Sequence, residues 1–263
     1  MADVVRISGA CVRRGTSLLL ADVDLVIAEG ERWIVMGPNG AGKTTLLLLA
    51  SARMFPTTGE VELLDEVMGA VDLADLKPRI GWASSAMAAD LPPAESVADV
   101  VMTGAWAVSG RWREQYDDAD RRRADGLLAD WGIEHLAGRT FGTLSEGERK
   151  RAMIARALMS DPELLLLDEP GAGLDLGGRE DLVDRLTRLA LADDAPTLVL
   201  VTHHVEEIPV GFTHGLLLRG GRVVAAGPLA DVMTDDALSQ AFGMPITVQH
   251  EAGRWFARRA NQG

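Results

Sequence analysis

The 263-residue sequence has a single cysteine and no long apolar run. One thiol, Cys11, cannot form an internal disulfide, and no Cys or His residues cluster at metal-ligand spacing, which argues against a structural zinc site. The longest apolar runs, such as residues 45–50 and 164–167, are far shorter than the roughly 20 residues that cross a bilayer. The N-terminus also lacks the charged and then apolar regions of a signal peptide. We therefore expect a soluble, cytoplasmic protein without direct membrane insertion, in which Cys11 is a small buried thiol.

Positive charge is also in the minority: 26 Lys and Arg residues face 39 Asp and Glu residues, which gives a formal net charge of −13. A surface that binds nucleic acid needs clustered Lys and Arg, so the composition disfavours a nucleic-acid partner. The short basic runs at 121–123 and 148–151 are predicted to be solvated helix faces. With 47% hydrophobic residues, the chain can bury a large core in one domain, with or without a subdomain.

The apolar pattern predicts an α/β protein. Alternating segments at 4–12 and 22–31 predict an antiparallel edge sheet. Continuous apolar runs at 163–170 and 197–204 are typical of central parallel strands covered by helices on both faces. Between about 90 and 160 the apolar residues recur at helical spacing, which indicates an inserted helical block.

The C-terminal part of the sequence predicts a hairpin and a small extension. Residues 215–227 (GLLLRGGRVVAAG) contain two apolar runs around a Gly-Gly turn. From Pro228 onward, we expect a helix followed by two short strands. No internal repeat is visible, so the chain should hold one catalytic unit.

Residues 37–45 (GPNGAGKTT) fit the phosphate-loop pattern G-x-x-x-x-G-K-[ST] in full. They follow the apolar strand 32–36 and precede a helix-like run, the context that this loop requires. The glycines let successive backbone N–H groups approach a phosphate, and the helix N-terminus adds its positive end. Lys43 would reach the β- and γ-phosphates, and the Thr44 hydroxyl would ligate Mg²⁺. The predicted ATP-binding residues of this loop are Gly37, Pro38, Asn39, Gly40, Ala41, Gly42, Lys43, Thr44 and Thr45.

A second motif, LLLLDEP, occupies residues 164–170. A carboxylate at the end of a buried strand beside a phosphate loop can hold the magnesium shell, which suits Asp168. Glu169 points elsewhere and can deprotonate the attacking water as a general base. Either carboxylate alone could instead cap the turn before Pro170, but the pair beside a phosphate loop favours catalysis.

Residues 144–151 (LSEGERKR) resemble the signature of the ATP-binding cassette (ABC) ATPases, which is usually LSGGQ. The spacing to the LLLLDEP run also resembles that family, and the resemblance covers nearly the whole chain. Ser145 as a helix cap and Gly147 without a side chain would expose N–H groups as a second anion site. Glu148 replaces the usual Gln, and Glu146 replaces a glycine, as tolerated variation. In the family this site closes on the γ-phosphate held by the other subunit, which implies a head-to-tail dimer with two bound ATP.

The resemblance implies an ABC-type P-loop NTPase with a parallel core sheet, an N-terminal antiparallel β subdomain and an inserted helical subdomain. One domain, 1–263, would comprise a nucleotide-binding core (1–85 and 161–227), a helical signature subdomain (86–160) and a C-terminal extension (228–263). Asp175 resembles the acidic residue of the family's D-loop. His203 matches the switch histidine that contacts the γ-phosphate and positions water, whereas His204 is expected to be solvated or structural.

Two positions depart from the family pattern. Where an aromatic residue usually stacks on adenine, this chain has Arg14, which would either stack through its guanidinium plane or be a plain surface arginine; Trp33 is predicted to be core. Where a glutamine usually reaches magnesium, the sequence IGWASS offers Ser84 and Ser85. These serines would form a turn, or Ser85 would meet the magnesium shell through a bridging water.

The resemblance implies Mg²⁺-dependent ATP hydrolysis that powers a transporter through separate membrane permease subunits, peripheral to the inner face of the membrane. An alternative is a soluble ABC ATPase acting on a protein or nucleic-acid partner. Residues 30–47 and 201–209 resemble single-cassette proteins associated with molybdate uptake or DNA repair. A small-molecule kinase is disfavoured because the signature motif has no place in it.

Overall fold

The computed structural model describes residues 2–108 and 115–260. Its strands are β1 (Asp3–Arg14), β2 (Ser17–Ala28), β3 (Arg32–Met36), β4 (Thr58–Leu63), β5 (Glu66–Val67), β6 (Ile80–Ser84), β7 (Leu164–Asp168), β8 (Thr197–Val201), β9 (His214–Arg219), β10 (Arg222–Pro228), β11 (Ile246–Glu251) and β12 (Arg254–Arg259). Its α-helices are α1 (Lys43–Ala50), α2 (Leu73–Leu76), α3 (Ser85–Ala89), α4 (Val97–Met102), α5 (Asp118–Asp130), α6 (Glu146–Leu158), α7 (Leu176–Leu191), α8 (Leu229–Val232) and α9 (Asp235–Phe242). Short 3₁₀ helices occupy Lys77–Arg79, Thr103–Trp106, Glu134–Leu136, Phe141–Thr143 and Val205–Glu207.

A central sheet has the strand order β10-β9-β3-β8-β7-β6. Its neighbours pair in parallel, except for β10 and β9, which form the predicted hairpin. Strand β8 is buried along its whole length, and β7 is buried except at its last residue, as the continuous apolar runs predict. Because β3, β6, β7 and β8 run in the same direction, the loops that follow them meet at one edge of the sheet.

This sheet separates two apolar cores. On one face, Ile34 and Met36 of β3 pack with the helices of the 97–159 region and with the C-terminal helices. On the other face, Trp33 and Val35 pack with α1 and with the antiparallel sheet β2-β1-β4-β5. The predicted parallel core, antiparallel edge sheet and core position of Trp33 are therefore confirmed.

The C-terminal part forms helices α8 and α9 and then the antiparallel pair β11–β12, as predicted. Strand β12 packs against the 3₁₀ helix Val205–Glu207, which follows the predicted switch histidine. Within the described ranges, no helix has the length and apolar character needed to span a membrane.

Two predictions about exposure are wrong. Lys150, in the 148–151 run expected to be a solvated face, is only 7% exposed. It lies on the side of α6 that packs on the core, since apolar neighbours on the same helix surround it. Cys11 is partly exposed and not buried. It lies where the pairing of β1 with β4 shifts register, and its Sγ accepts the Asp22 N–H at 3.3 Å.

Candidate active site

The phosphate loop connects the end of β3 to the start of α1. Gly37, Gly40 and Gly42 all have positive φ, at 150°, 77° and 104°. A side chain at Gly37 would place its Cβ 2.2 Å from the carbonyl oxygen of Leu218, and one at Gly42 would lie 2.8 Å from that of Leu19. The loop is therefore packed so closely between β9 and β2 that only glycine fits at these two positions.

Lys43 opens helix α1 and is 5% exposed. Its Nζ donates to the carbonyl oxygens of Gly37 at 2.9 Å and Pro38 at 3.2 Å. The same ammonium lies 3.7 Å from Oε1 of Glu169. A buried positive charge thus lies inside the loop and faces the carboxylate of Glu169, the residue after β7.

Asp168 ends strand β7 beside the loop. Its burial raises the pKa of its carboxyl group, while a hydrogen bond with the Thr44 side chain opposes that rise. The other oxygen, Oδ1, is buried and has no hydrogen-bond partner among the described residues. Mg²⁺ prefers oxygen ligands. The Thr44 hydroxyl and the Asp168 carboxylate, which has an unsatisfied oxygen, fit that ligand set.

Glu169 has a left-handed backbone, with φ 49°. Such a conformation costs a non-glycine residue about 1–3 kcal/mol and persists where the surroundings enforce it, often at active sites. The Glu169 N–H donates to the Val201 carbonyl of β8 at 3.0 Å. Its Oε1 lies 3.5 Å from Nδ1 of His203, so the carboxylate stands between the ammonium of Lys43 and the imidazole. His204 is exposed, as expected.

The signature segment begins helix α6. The Ser145 hydroxyl accepts the Glu148 N–H at 3.4 Å, and the Glu148 carboxylate accepts the Ser145 N–H at 2.7 Å. This reciprocal capping box lowers the pKa of Glu148, chiefly through the backbone hydrogen bond from Ser145. The carboxylate in place of the family's usual amide therefore has a local role, since an ionised acceptor at a helix start strengthens the cap.

The cavity beside the phosphate loop has a volume of about 340 Å³. Besides loop residues and Glu169, it is lined by Leu18 and Leu19 of β2, which the sequence analysis did not single out. Arg14, the suggested adenine-stacking residue, is exposed at the end of β1 and does not line this cavity.

The remaining predicted site residues, Ser145, Gly147, Glu148 and Asp175, also lie outside the cavity beside the phosphate loop. Asp175 instead caps helix α7, where its Oδ1 accepts the Gly178 N–H at 2.8 Å. The cavity beside the phosphate loop therefore includes Glu169 but none of these four residues.

The two serines of the IGWASS segment differ in surroundings. The Ser84 hydroxyl is buried and accepts two hydrogen bonds, from the Met87 N–H and from the Trp82 indole N–H, each at 3.1 Å. It thereby caps helix α3 and forms the turn. Ser85 is exposed and lines a cavity of about 190 Å³ that Asp168 also lines. Its contact with magnesium through water stays a prediction.

A phosphate loop, a carboxylate pair and a histidine at strand ends, and a capped signature helix occur here on one α/β scaffold. This combination defines the ATP-binding cassette ATPases. The sequence profile of that family, described as "ABC transporter", matches residues 20–172. The chain belongs to this family.

Relatives and solved structures resemble the chain over nearly its full length. It is 41% identical to an uncharacterized ABC transporter ATP-binding protein, YlmA, of Bacillus subtilis, covering 98% of this chain and 97% of the relative. It is 33% identical to the hemin import ATP-binding protein HmuV of Bradyrhizobium diazoefficiens, covering 96% and 93%. An inward-facing transporter assigned to the metal-chelate ABC type superposes with a TM-score of 0.78 at 26% identity, covering 98% and 97%. The dimeric cassette MJ0796 with ADP and Pi superposes at 0.74 and 27% identity, covering 86% and 98%.

Proposed function

We propose that this protein is the ATP-hydrolysing subunit of an ABC transporter, in which Glu169 is the general base and separate membrane subunits carry the substrate. The observation that carries the proposal is the position of Glu169, whose Oε1 lies 3.7 Å from the Lys43 ammonium and 3.5 Å from the His203 ring. The transport names of the hemin-import and metal-chelate relatives support the second part. In such a complex the cassette is cytoplasmic and peripheral to the membrane.

The phosphate loop binds the nucleotide. Its backbone N–H groups and the N-terminus of α1 attract the phosphates, and the buried Lys43 ammonium is placed to stabilise the β- and γ-phosphate charge. Leu18 and Leu19 give this cavity an apolar wall where a guanidinium from Arg14 was expected. We propose that these leucines contact the base or ribose.

Thr44 and Asp168 would hold Mg²⁺, because one supplies a hydroxyl and the other an unsatisfied buried oxygen. When bound, the ion neutralises charge on the phosphoryl oxygens. We propose Ser85 as a further, water-mediated contact, from its place on the cavity that Asp168 also lines.

Glu169 accepts a proton from the attacking water, and His203 orients that water and contacts the γ-phosphate. The Glu169 carboxylate lies beside Lys43 and His203, whereas that of Asp168 contacts Thr44, so the two adjacent acids have separate tasks. Lys43 stabilises charge that develops on the transferring group.

The signature residues Ser145, Gly147 and Glu148 and the D-loop residue Asp175 act, in this proposal, on the ATP held by a second copy. None of them lines the cavity beside the phosphate loop of its own chain. The dimeric cassette with ADP and Pi supports this arrangement. Each dimer would enclose two nucleotides and open again after hydrolysis, which moves the attached membrane subunits.

The first experiment compares wild type with Glu169→Gln. The variant should lose at least about 100-fold in kcat, since an acid–base residue contributes about 10²–10⁴-fold. It should also accumulate an ATP-dependent dimer, detected by light scattering after size exclusion. Glu60→Gln, an exposed residue on β4, is the matched control and should behave as wild type. Unchanged hydrolysis in Glu169→Gln would refute its role as base.

The second experiment tests the transporter assignment. Tagged protein is captured from detergent-solubilised membranes of its own host, with and without ATP. We expect an integral membrane permease to be recovered with it. Recovery of soluble partners alone would favour the non-transport alternative.

A further inference from the structure

The signature helix α6 carries a buried lysine outside the capped segment. The sequence contains only three lysines, Lys43, Lys77 and Lys150. Lys43 belongs to the phosphate loop, Lys77 is exposed, and Lys150 is 7% exposed. Burying an ammonium is costly unless it is paired or hydrogen-bonded. The groups that compensate the buried charge of Lys150 therefore have to be identified.

The Lys150 ammonium binds the turn that follows strand β7. Its Nζ donates to the carbonyl oxygen of Ala172 and lies 3.4 Å from that of Glu169. The Ala172 N–H in turn donates to the Glu169 carbonyl at 3.2 Å. One side chain on the signature helix therefore holds both ends of the tight turn that begins with the general base.

A buried glutamate, Glu207, also lies against this turn and is 5% exposed. Its carboxylate packs on Gly171, where an added Cβ would come within 2.5 Å of Oε1. Its second oxygen accepts the Thr202 hydroxyl, and that hydroxyl accepts the His204 N–H at 3.1 Å. Glu207 thus binds Thr202, which precedes His203, and the Thr202 hydroxyl in turn binds the His204 N–H.

These two buried groups carry opposite charge around one turn. Burial lowers the pKa of Lys150, whereas the carboxylates of Glu146, Glu207 and Glu169 act to keep it protonated. Glu146, the first residue of α6, lies 3.9 Å from its Nζ and is half exposed. Buried charged groups that hold the Glu169 turn and Thr202 in place match the usual way in which active-site geometry is supported.

We propose that Lys150 and Glu207 are positioning residues for hydrolysis: Lys150 fixes the left-handed backbone of Glu169 from the signature helix, and Glu207 fixes the His203 segment through the Thr202 hydroxyl. Because Lys150 is one turn from the signature cap, a shift of α6 on dimer closure moves the support of the general base directly. This inference rests on the proposed role of Glu169.

The test compares Lys150→Met, which removes the ammonium at similar volume, with Lys77→Met, the same change at an exposed lysine. For Lys150→Met, kcat should fall about 10–100-fold, the loss expected when a catalytic group is displaced by about 1 Å. Its KM for ATP should stay within about threefold, because the phosphate loop is untouched. Lys150→Gln retains N–H donors for the two carbonyls and should recover part of kcat, a rescue that a purely space-filling role does not predict. Glu207→Gln keeps the shape and should also lower kcat without changing KM.

Side-chain ¹⁵N NMR of lysine-labelled protein gives a second readout. Three ammonium signals are expected, and Lys150→Met and Lys77→Met assign two of them. Glu207→Gln should shift the Lys150 signal and leave that of Lys77 in place. If Lys150→Met does not fold by circular dichroism, Lys150→Gln and Glu207→Gln decide the question.

Different results would refute the proposed function and the positioning role. If wild type is inactive, or if Glu169→Gln hydrolyses ATP normally, the proposed function fails. If Glu169→Gln is inactive while Lys150→Gln, Glu207→Gln and Lys150→Met all match Lys77→Met in kcat, the positioning role is refuted and the proposed function stands. A rise in KM with unchanged kcat also contradicts the positioning role, because it places Lys150 in nucleotide binding.

Discussion

Replacing Ser84 with alanine tests whether this serine is a structural cap. Its hydroxyl is the acceptor for both the Met87 N–H and the Trp82 indole N–H. Ser84 is 8% exposed and Trp82 is 6% exposed, so water cannot readily replace the lost acceptor. Two separate contributions are removed by one substitution.

The first contribution is the N-cap of α3, for which Ser→Ala substitutions typically cost about 1 kcal/mol. The second is the indole N–H left buried without a partner, which costs about 1–3 kcal/mol. We therefore expect Ser84→Ala to lower the free energy of unfolding by about 2–4 kcal/mol. Ser85→Ala should change it by less than about 0.5 kcal/mol, because Ser85 is exposed.

Urea unfolding followed by far-UV circular dichroism measures both values. A cycle with Trp82→Phe separates the contributions: in the phenylalanine background, Ser84→Ala should cost only the cap, about 1 kcal/mol. Equal losses of unfolding free energy for Ser84→Ala and Ser85→Ala would refute the role of Ser84 as a structural cap. Equal costs of Ser84→Ala in both backgrounds would show that the indole hydrogen bond contributes nothing.

Two further predictions concern charged contacts. Arg254 of β12 forms a two-pronged ion pair with Glu180 of α7, at 2.9 and 3.2 Å, and donates to the Glu206 carbonyl at 2.7 Å. A double-mutant cycle of Arg254→Met and Glu180→Gln in urea should give a coupling energy of about 0.5–1 kcal/mol, and a value near zero would contradict it. Glu148, whose pKa is lowered from 4.5 by the Ser145 N–H, stabilises the fold above pH 4.5 and loses this contribution as the pH falls through the lowered value. The stability difference between wild type and Glu148→Gln should therefore be constant above about pH 5.5 and change below pH 4.5, and a pH-independent difference would contradict the assignment.

The phosphate loop and the strand-end carboxylates could be predicted because their signals are local. Gly37 to Gly42 follow the apolar strand β3 and lead directly into α1, which begins at Lys43, so strand, loop and helix are contiguous in the sequence. The parallel sheet was predictable for a similar reason, since β7 and β8 are apolar at nearly every position. Chain order alone also placed Asp168 and Glu169 at the edge that the loop occupies.

Other parts of the site could not be predicted from local pattern. Lys150 lies in a run of charged residues, a pattern that predicts a solvated helix face. The packing of α6 against the turn after β7 buries it instead. The pairing of Ser84 with Trp82 depends on which face of β6 the indole occupies, which the sequence IGWASS does not reveal. Leu18 and Leu19 reach the cavity beside the phosphate loop because β2 passes close to it, at the point where Leu19 approaches Gly42.

The hydrogen bonds of Ser84 also bear on how this cassette communicates with a partner. The resemblance places the magnesium-reaching glutamine of the family at Ser84 or Ser85, and the Ser84 hydroxyl is buried and already accepts two hydrogen bonds. It therefore cannot bind the ion without giving up the cap of α3. The helical region also contacts the general base. Lys150 of α6 reaches the Glu169 and Ala172 carbonyls directly with its ammonium. If Lys150 has the proposed role, coupling between the helical region and hydrolysis depends on the position of α6. Lys150→Gln should then weaken stimulation by a partner more than Ser85→Ala does.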